Sequence, residues 1–171
     1  MANMDLVILG TLMSGPQHGY QLKQNIEASY GKRYISISNS TLYPRLARLE
    51  AEGYIESHRE TQEKVPDRKV YQVTTAGMKK LHDLAATPLK PGDHPFDVGL
   101  HAVLFRLLTS EERKNVIRPL YEDGLLELEE NLKKKETYGP MLDPYMMLML
   151  ESGIEDIRRR TELYKKLIDM A

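Results

Sequence analysis

The stretch that decides the fold runs from Ser38 to Ile55 and reads SNSTLYPRLARLEAEGYI. Leu42, Leu46 and Leu49 recur at intervals of four and three residues, which places all three on one side of an α-helix. Ser38 suits the N-cap position and Gly53 suits the position just past the end, so the spacing predicts a helix between them. The leucine face must pack against a core, which leaves the opposite face free to bind a partner.

The opposite face carries small, hydroxyl, aromatic and arginine side chains, and no acidic residue of this stretch precedes Glu50. Such a face suits a groove of DNA, where Ser and Thr hydrogen bond with bases or phosphates, an apolar ring contacts a thymine methyl group and Arg forks onto guanine. The residues of this helix predicted to contact DNA are Ser40, Thr41, Tyr43, Pro44, Arg45 and Arg48. The alternative for the two arginines is a solvated helix face on which they pair with Glu50 or Glu52.

Composition excludes several classes of protein. The 171 residues are 41% hydrophobic and 29% charged, which suits a soluble protein with one ordinary core or two small ones. No apolar run approaches the ~18 residues that a membrane-spanning helix needs, and the N-terminus lacks the zones of a signal peptide. We therefore expect a cytoplasmic protein without a membrane partner. The absence of cysteine excludes disulfides, zinc–thiolate sites and a cysteine nucleophile.

The distribution of charge is more informative than its total. A net charge of −1 argues against a protein that binds every polyanion. Lys32, Arg33, Arg45 and Arg48 nevertheless occur without an acidic residue between positions 32 and 48. A local basic patch on a nearly neutral chain indicates a specific, partly electrostatic contact with DNA.

The elements around the central helix complete a recognisable order. Helical spacing predicts a first helix over 4–14, a second over His18–Tyr30, and a connection over 31–37 that is irregular or includes a brief strand at 34–37. After Gly53 the period changes to two, which predicts a strand from Ile55, a polar tip over 61–67, a second strand over 69–74 and a fourth helix over about 76–86. Three helices, a two-stranded wing and a fourth helix make a winged helix-turn-helix. The predicted fold class is therefore mainly α with a small β-hairpin.

The stretch from Leu6 to about Leu84 resembles the PadR-like family of winged helix-turn-helix transcriptional regulators. The matching pieces are ILGTL at 8–12, GYQL at 19–22, STLYPRL at 40–46, LEAEGYI at 49–55, RKVY at 68–71 and TTAG at 74–77. The combination is specific because each piece falls in the right element and in the right order. The resemblance implies that the region of Tyr43 and Arg45 is the recognition helix, and that the C-terminal helices dimerise, often gripping the first helix of the partner.

Further DNA contacts are predicted outside the recognition helix. Arg68 and Lys69 lie where the hairpin returns to the sheet, and Lys64 lies at its tip, positions from which a wing reaches phosphates or the minor groove. His18 and Tyr20 begin the second helix, whose free amides suit a phosphate. The alternatives are ordinary edge-strand charges for the cations and a core position for Tyr20.

The C-terminal half is predicted to be a separate helical domain. Four turn-forming residues between positions 87 and 96 mark a boundary, which divides the chain into 1–87, the DNA-binding domain, and 88–171, a dimerisation domain that is also the candidate for effector binding. Three helices follow: 97–108, a long one over 110–136 capped by Thr109 or Ser110, and Pro144–Asp169. The residues of the long helix predicted to face inward are Ile117, Tyr121, Leu125, Leu128 and Leu132. Pro119 and Gly124 are expected to kink the long helix, and whether Pro119 divides it stays open.

The last helix carries an apolar seam at alternating intervals of three and four residues, formed by Met147, Leu150, Ile154, Ile157, Thr161, Tyr164 and Ile168. A seam of this kind needs a partner helix. We predict that these residues mediate a two-fold homodimer. The alternative is antiparallel packing inside one chain.

Neither a metal site, a cofactor nor an enzymatic activity is predicted. The five histidines form no i, i+4 pair, and no GxSxG, HExxH or glycine-rich phosphate loop is present. The one indication of an effector site is the cluster Met141, Tyr145, Met146, Met147 and Met149, since methionines repack around varied apolar guests. Its alternative role is plain interface core.

Together with what the resemblance to the PadR-like family implies, these observations predict a homodimeric DNA-binding transcriptional regulator that represses a nearby operon and is released by a small hydrophobic or aromatic effector. Its expected partners are double-stranded operator DNA and a second copy of itself. Two alternatives remain. One is a transcriptional activator on the same fold, and the other is a winged-helix protein-interaction module that does not bind DNA.

Overall fold

The computed structural model describes residues 3–62 and 65–171, while the side chains of residues 61, 62 and 65–68 lie outside the description. The elements are α1 (Met4–Leu12), β1 (Gln17–His18), α2 (Gly19–Tyr30), α3 (Asn39–Ala51), β2 (Ile55–Gln62), β3 (Val65–Val73), α4 (Thr75–Ala85), α5 (Pro95–Leu104), α6 (Ser110–Tyr138) and α7 (Pro144–Asp169). They form two compact units, Met1–Ala85 with His94–Leu107, and Ala86–Asp93 with Leu108–Ala171. No helix in the described ranges combines the length and apolar character needed to cross a membrane.

Helix α3 confirms the prediction from the leucine spacing. Leu42, Leu46 and Leu49 are fully buried. The Ser38 hydroxyl accepts a hydrogen bond from the Thr41 amide at 3.1 Å, and Gly53 adopts a φ of +77° just past the helix end. That conformation favours glycine, so this residue both stops the helix and turns the chain into β2.

The core of the first unit forms where α3 meets α1 and α2. Helix α1 is buried along most of its length, since Leu6, Val7, Ile8 and Leu9 are inaccessible to solvent. The predicted connection over 31–37 contains no strand, because Tyr34 and Ile35 donate their amides back to the Gly31 carbonyl in a tight turn. Ile35 and Ile37 anchor it in the core.

The sheet has three antiparallel strands in the order β1–β3–β2, one more than predicted. Strand β1 is only two residues long, with Gln17 opposite Tyr71 and His18 opposite Val70. So short a strand leaves no alternating pattern in the sequence, and it is held by the Gln17 side chain, which donates to the Thr11 carbonyl at 3.0 Å. The hairpin strands extend further than predicted, to Gln62 and from Val65, so most of the predicted polar tip over 61–67 is strand.

Two close contacts fix the rest of the first unit. A Cβ atom on Gly77 of α4 would lie 1.9 Å from the Tyr54 carbonyl oxygen, so only glycine allows this helix to approach the start of β2. Helix α5 belongs to the first unit, and its buried His101 places Nδ1 3.0 Å from the Ala85 carbonyl oxygen. The sequence prediction assigned this helix to the C-terminal domain. The boundary between 87 and 88 stays a prediction.

The second unit is built on an antiparallel hairpin of α6 and α7. Thr109 and Glu112 form a reciprocal capping box at the start of α6, and the helix continues without division through Pro119 to Tyr138. A Cβ atom on Gly124 would lie 2.5 Å from Thr161 Oγ1, so this glycine permits close packing of the two helices. Of the α6 residues predicted to face inward, Ile117 is buried whereas Leu125 and Leu132 are exposed, because the helix packs through Val116, Ile117, Leu120 and Gly124.

Candidate nucleic-acid interface

The start of α3 presents a group of hydroxyls to solvent. The Ser38 Oγ atom lies 2.7 Å from Ser40 Oγ and 2.9 Å from Thr41 Oγ1. Ser40, Thr41 and Pro44 are all exposed. Pro44 lies inside the helix and has no N–H to donate to the carbonyl four residues earlier. The predicted reading face is therefore accessible, and its hydroxyls are oriented by the N-cap serine.

Arg45 and Arg48 both form ion pairs with Asp5, which lies on α1. Arg45 Nη1 lies 3.2 Å from Asp5 Oδ1, and Arg48 Nη2 lies 2.7 and 2.6 Å from the two oxygens of the same carboxylate. Arg48 also contacts Glu52 at 3.4 Å. The hydrogen bond to Asp5 and its charge raise the pKa of Arg48 above its ordinary value. The pairing with Glu52 was among the alternatives, whereas Asp5 was not predicted because it lies 40 residues away in the chain.

Lys69 is paired in the same manner. Its Nζ donates to Glu50 at 2.7 Å, and Ser57 donates to the other oxygen of that carboxylate. These hydrogen bonds, first from Lys69 and then from Ser57, lower the pKa of Glu50, and the bond to Glu50 raises the pKa of Lys69. The Lys69 Nζ also lies 5.6 Å from the centroid of the Tyr71 ring. The ammonium group is consequently fixed above an aromatic surface.

A cleft of about 490 Å³ brings several predicted contacts together. Its lining consists of His18, Gly19, Tyr20, Gln21, Tyr43, Lys69 and Tyr71. A Cβ atom on Gly19 would lie 2.8 Å from Tyr43 Cε1, so the Tyr43 ring packs directly on this glycine. Burial raises the pKa of Tyr71 above its ordinary value of 10, so the hydroxyl, like that of any tyrosine at neutral pH, is protonated and can donate. Helix amides, a lysine and tyrosine hydroxyls form a donor set that suits a phosphate group.

Helix α2 starts at this cleft without a side-chain cap. His18 is its N-cap residue, but the imidazole makes no capping hydrogen bond. Instead, Nε2 lies 3.2 Å from Glu60 Oε2, and the buried Nδ1 has no hydrogen-bond partner among the described residues. Tyr20 is 67% exposed and accepts a hydrogen bond from Gln24, so it is not a core aromatic. The first-turn amides of α2 are therefore not capped by His18.

Two predicted wing contacts cannot be placed. Lys64 lies outside the described residues. The backbone of Arg68 belongs to β3 opposite Glu60, but its side chain lies outside the description as well. The fold adds Asp5, Gln21 and Tyr71 to the site, none of which the sequence analysis predicted. It also pairs Glu50, the possible partner of the arginines, with Lys69. The sequence can indicate the pair of Arg48 with Glu52, because an acid four residues after a base lies on the same helix face. It cannot indicate the pairs with Asp5 or between Glu50 and Lys69, whose members are far apart in the chain.

The predicted dimerisation seam lies mainly inside its own chain. Ile154, Ile157, Thr161 and Tyr164 are buried in the α6–α7 hairpin, which is the alternative that the seam also allowed. Met147, Leu150 and Ile168 are half-buried. Met141, Tyr145, Met146 and Met149 of the predicted effector cluster are exposed. The assignment of these residues to a dimer interface or an effector site stays a prediction. No group of three or more His, Asp or Glu within the described ranges is arranged to hold a metal ion.

Comparison with known proteins confirms the resemblance of the N-terminal part. Residues 8–83 match the model of the family described as "Transcriptional regulator PadR-like family", whose members are transcriptional regulators and not enzymes. A curated relative, the negative transcriptional regulator PadR of Bacillus subtilis (strain 168), is 31% identical over 83 residues. The match covers 48% of this chain and 45% of that protein, so the chain matches less than half of the length of this relative.

Two solved structures of transcriptional regulators are similar to this chain, one over about half of it and the other over nearly all of it. A transcriptional regulator from Clostridium thermocellum is 34% identical with a TM-score of 0.43, covering 47% of this chain and 76% of that one. Bacillus subtilis PadR in complex with operator DNA is 20% identical with a TM-score of 0.49, covering 99% of this chain and 98% of that one.

Proposed function

We propose that this chain, whose residues 8–83 form a domain of the PadR-like family of winged helix-turn-helix transcriptional regulators, binds operator DNA and regulates transcription. The observation that carries the proposal is the cleft at the start of α2. Four residues predicted independently to contact DNA, His18, Tyr20, Tyr43 and Lys69, line this one concave surface. It lies beside the exposed start of α3, since Tyr43 belongs to both.

The two parts of this surface suit different tasks. Phosphate contacts position a protein on the duplex, and base contacts read its sequence. We assign the first task to the cleft, where Lys69 and the first amides of α2 converge. We assign the second to Ser40, Thr41, Pro44 and Arg48 on α3, whose hydroxyl, apolar and guanidinium groups match base edges of the major groove.

The test is fluorescence-anisotropy titration of the DNA upstream of the gene against a scrambled duplex, at two salt concentrations. Lys69→Ala is expected to weaken binding to both duplexes and to reduce the salt slope by about one, as the loss of one phosphate contact does. Arg48→Ala is expected to cost about 1–3 kcal/mol on the preferred duplex and to relax its specificity. Lys79→Ala, which removes the same charge from the exposed side of α4, is the matched control.

The result that contradicts DNA recognition is equal, weak binding of both duplexes that Lys69→Ala does not change. In that case the winged helix serves as a protein-interaction module, which was the second alternative from the sequence.

Homodimerisation is the second part of the proposal. The α6–α7 hairpin leaves an unusual number of large apolar side chains exposed: Leu125, Leu126, Leu132, Tyr138, Met141, Tyr145, Met146, Leu148, Met149 and Leu163. Several large apolar side chains left exposed on one hairpin are typical of a protein–protein interface. A two-fold dimer would present two recognition helices to successive major grooves about 34–36 Å apart.

Sedimentation of the wild type and of Leu148→Glu tests this dimer. A charge on this 63% exposed position is expected to weaken association by at least about tenfold. Thr137→Glu adds the same charge at an exposed position of α6 and is the control. Ile157→Glu is not informative, because Ile157 packs inside its own hairpin. A wild type that sediments as a monomer at micromolar concentration contradicts the proposal.

We further propose that the regulator represses a nearby operon and that a small hydrophobic or aromatic effector releases it. The curated relative is a negative regulator, which supports repression. A cleft of about 270 Å³ in the second unit, with Tyr121, Leu125 and Leu128 as walls and Arg158 and Lys165 at its edge, supports the effector. Deletion of the gene should raise expression of a fusion reporter. Loss of expression would instead identify an activator.

A further inference from the structure

We propose that Asp5, on α1, determines specificity by holding Arg45 and Arg48 of the reading helix, so that these arginines are available to DNA only when the duplex fits. The inference rests on the proposed DNA binding and concerns a residue outside the recognition helix and the wing. Its basis is that one carboxylate bridges two guanidinium groups, at 3.2 Å from Arg45 and at 2.6 and 2.7 Å from Arg48.

Asp5 is a rigid partner. Its amide is hydrogen bonded to the Asn3 side chain, which caps α1, and its carboxylate lies in the first helical turn, where the helix dipole favours a negative charge. The next residues, Leu6 and Val7, are fully buried, so the helix cannot withdraw from α3 without exposing the core. The Asp5 side chain is 16% exposed, whereas those of Arg45 and Arg48 are 41% and 46% exposed. The arginines therefore have an accessible side for DNA while the acid is fixed behind them.

The positive charges of the two arginines are already neutralised by neighbouring carboxylates. Asp5 and Glu52 neutralise Arg45 and Arg48. Non-specific DNA binding depends almost entirely on cations that neutralise phosphates. Arg45 and Arg48 share the Asp5 carboxylate and therefore contribute little to it, because each new phosphate contact of these arginines weakens an existing pair. A preferred duplex compensates for the weakened ion pairs, because its base edges complete the hydrogen bonds of the guanidinium groups. A random duplex does not.

Asp5→Asn is the direct test, because it removes the charge and keeps the shape. Its binding to the preferred and the scrambled duplex is measured by anisotropy at several salt concentrations. We expect the affinity for the scrambled duplex to rise roughly five- to tenfold with a salt slope larger by about one, since one to two cations are released to phosphates. Affinity for the preferred duplex should rise less, so that the ratio between the two falls.

Three further variants separate this role from others. Asp83→Asn on α4 removes one negative charge from the same unit without contacting either arginine, and should leave the ratio unchanged. Adding Arg45→Ala and Arg48→Ala to Asp5→Asn should abolish the gain. Glu52→Gln, which frees only one contact of Arg48, should act in the same direction and more weakly, and it provides the test if Asp5→Asn does not fold.

Three results would overturn the inference. They are an unchanged affinity of Asp5→Asn for the scrambled duplex, a gain that persists without the two arginines, and a loss restricted to the preferred duplex, which would make Asp5 only a positioning residue. These results differ from failure of the proposed function. That failure is visible in the wild type itself, as the absence of any preference between the two duplexes.

Discussion

Helices α3 and α7 have the same kind of inner face and opposite kinds of outer face. Each buries an apolar stripe at intervals of three and four residues, Leu42, Leu46 and Leu49 in α3 and Ile154, Ile157, Thr161 and Tyr164 in α7. The outer face of α3 carries hydroxyls and arginines, whereas that of α7 still carries Tyr145, Met146, Leu148, Met149 and Leu163. The stripe therefore tells where a helix packs in its own unit. The composition of the outer face is the basis for the proposed partner, which is nucleic acid for α3 and another protein chain for α7.

The largest expected difference in the free energy of unfolding is between truncating a leucine on the inner face of α3 and truncating one on the outer face of α7. Leu46→Ala removes a fully buried side chain of α3 and should lower the free energy of unfolding by about 2–5 kcal/mol. Leu148→Ala removes an exposed side chain of α7 and should change the stability of the monomer by no more than about 0.5 kcal/mol. Urea denaturation at two protein concentrations measures both. A loss for Leu148→Ala that grows with protein concentration would show that α7 uses this face for association.

The hairpin that displays the apolar face depends on one glycine. Gly124→Ala places a Cβ atom 2.5 Å from Thr161 Oγ1 and should destabilise the second unit by about 1–3 kcal/mol through overpacking. Gly153→Ala is the matched control, because a Cβ atom there meets nothing within 4 Å. It should stabilise α7 by about 0.5–1 kcal/mol, the helical preference of alanine over glycine. Thermal unfolding followed by circular dichroism compares them, and equal effects of the two substitutions would contradict the close packing.

The N-caps of the two helices differ in the number of amides they satisfy. Asp143 accepts hydrogen bonds from the amides of Tyr145 and Met146 at 2.8 and 3.0 Å, while Ser38 accepts one, from Thr41 at 3.1 Å. Asp143→Ala should therefore cost more stability than Ser38→Ala, within the usual range of about 0.5–2 kcal/mol for a lost cap. Chemical denaturation of both variants gives the order. Only Ser38→Ala should also weaken DNA binding, because Ser38 orients the hydroxyls of Ser40 and Thr41.

The smallest expected effect concerns the carboxylate behind Lys69. Because the pKa of Glu50 is lowered from its ordinary value of 4.5, its pairing stabilises the fold fully above that value and is lost as pH falls through the pKa of the folded state. The pair is partly exposed, so Glu50→Gln should cost no more than about 1 kcal/mol at pH 7. The difference from the wild type should shrink as the pH falls below 4.5 and should disappear once the pH is below the pKa of the folded state. Persistence of the full difference at such a pH would mean that the loss arises from packing rather than charge.

The sequence correctly predicted features that depend only on residues close together in the chain. The predicted ends of α3 and of the last helix agree with the structure, because a cap, a turn residue and a regular apolar stripe are all local signals. Strand β1 was missed because two residues cannot show a period. The two hairpin strands were predicted too short, because the polar residues near the tip are typical of a loop. The inner face of α6 was assigned incorrectly at Leu125 and Leu132, since several stripes of that helix are apolar and only its partner selects one.

The sequence by itself determined the winged-helix order and the apolar stripe of α3, because these follow from periodicity, and the chemistry of its side chains is the basis for the residues that we propose to contact DNA. The tertiary structure decided how those residues are used. It placed Asp5 against Arg45 and Arg48 and Glu50 against Lys69, and it turned the α7 seam toward α6 within one chain. The physical reason is that an ion pair or a helix contact depends on distance in space. Residues far apart along the chain acquire that distance only when the core has formed.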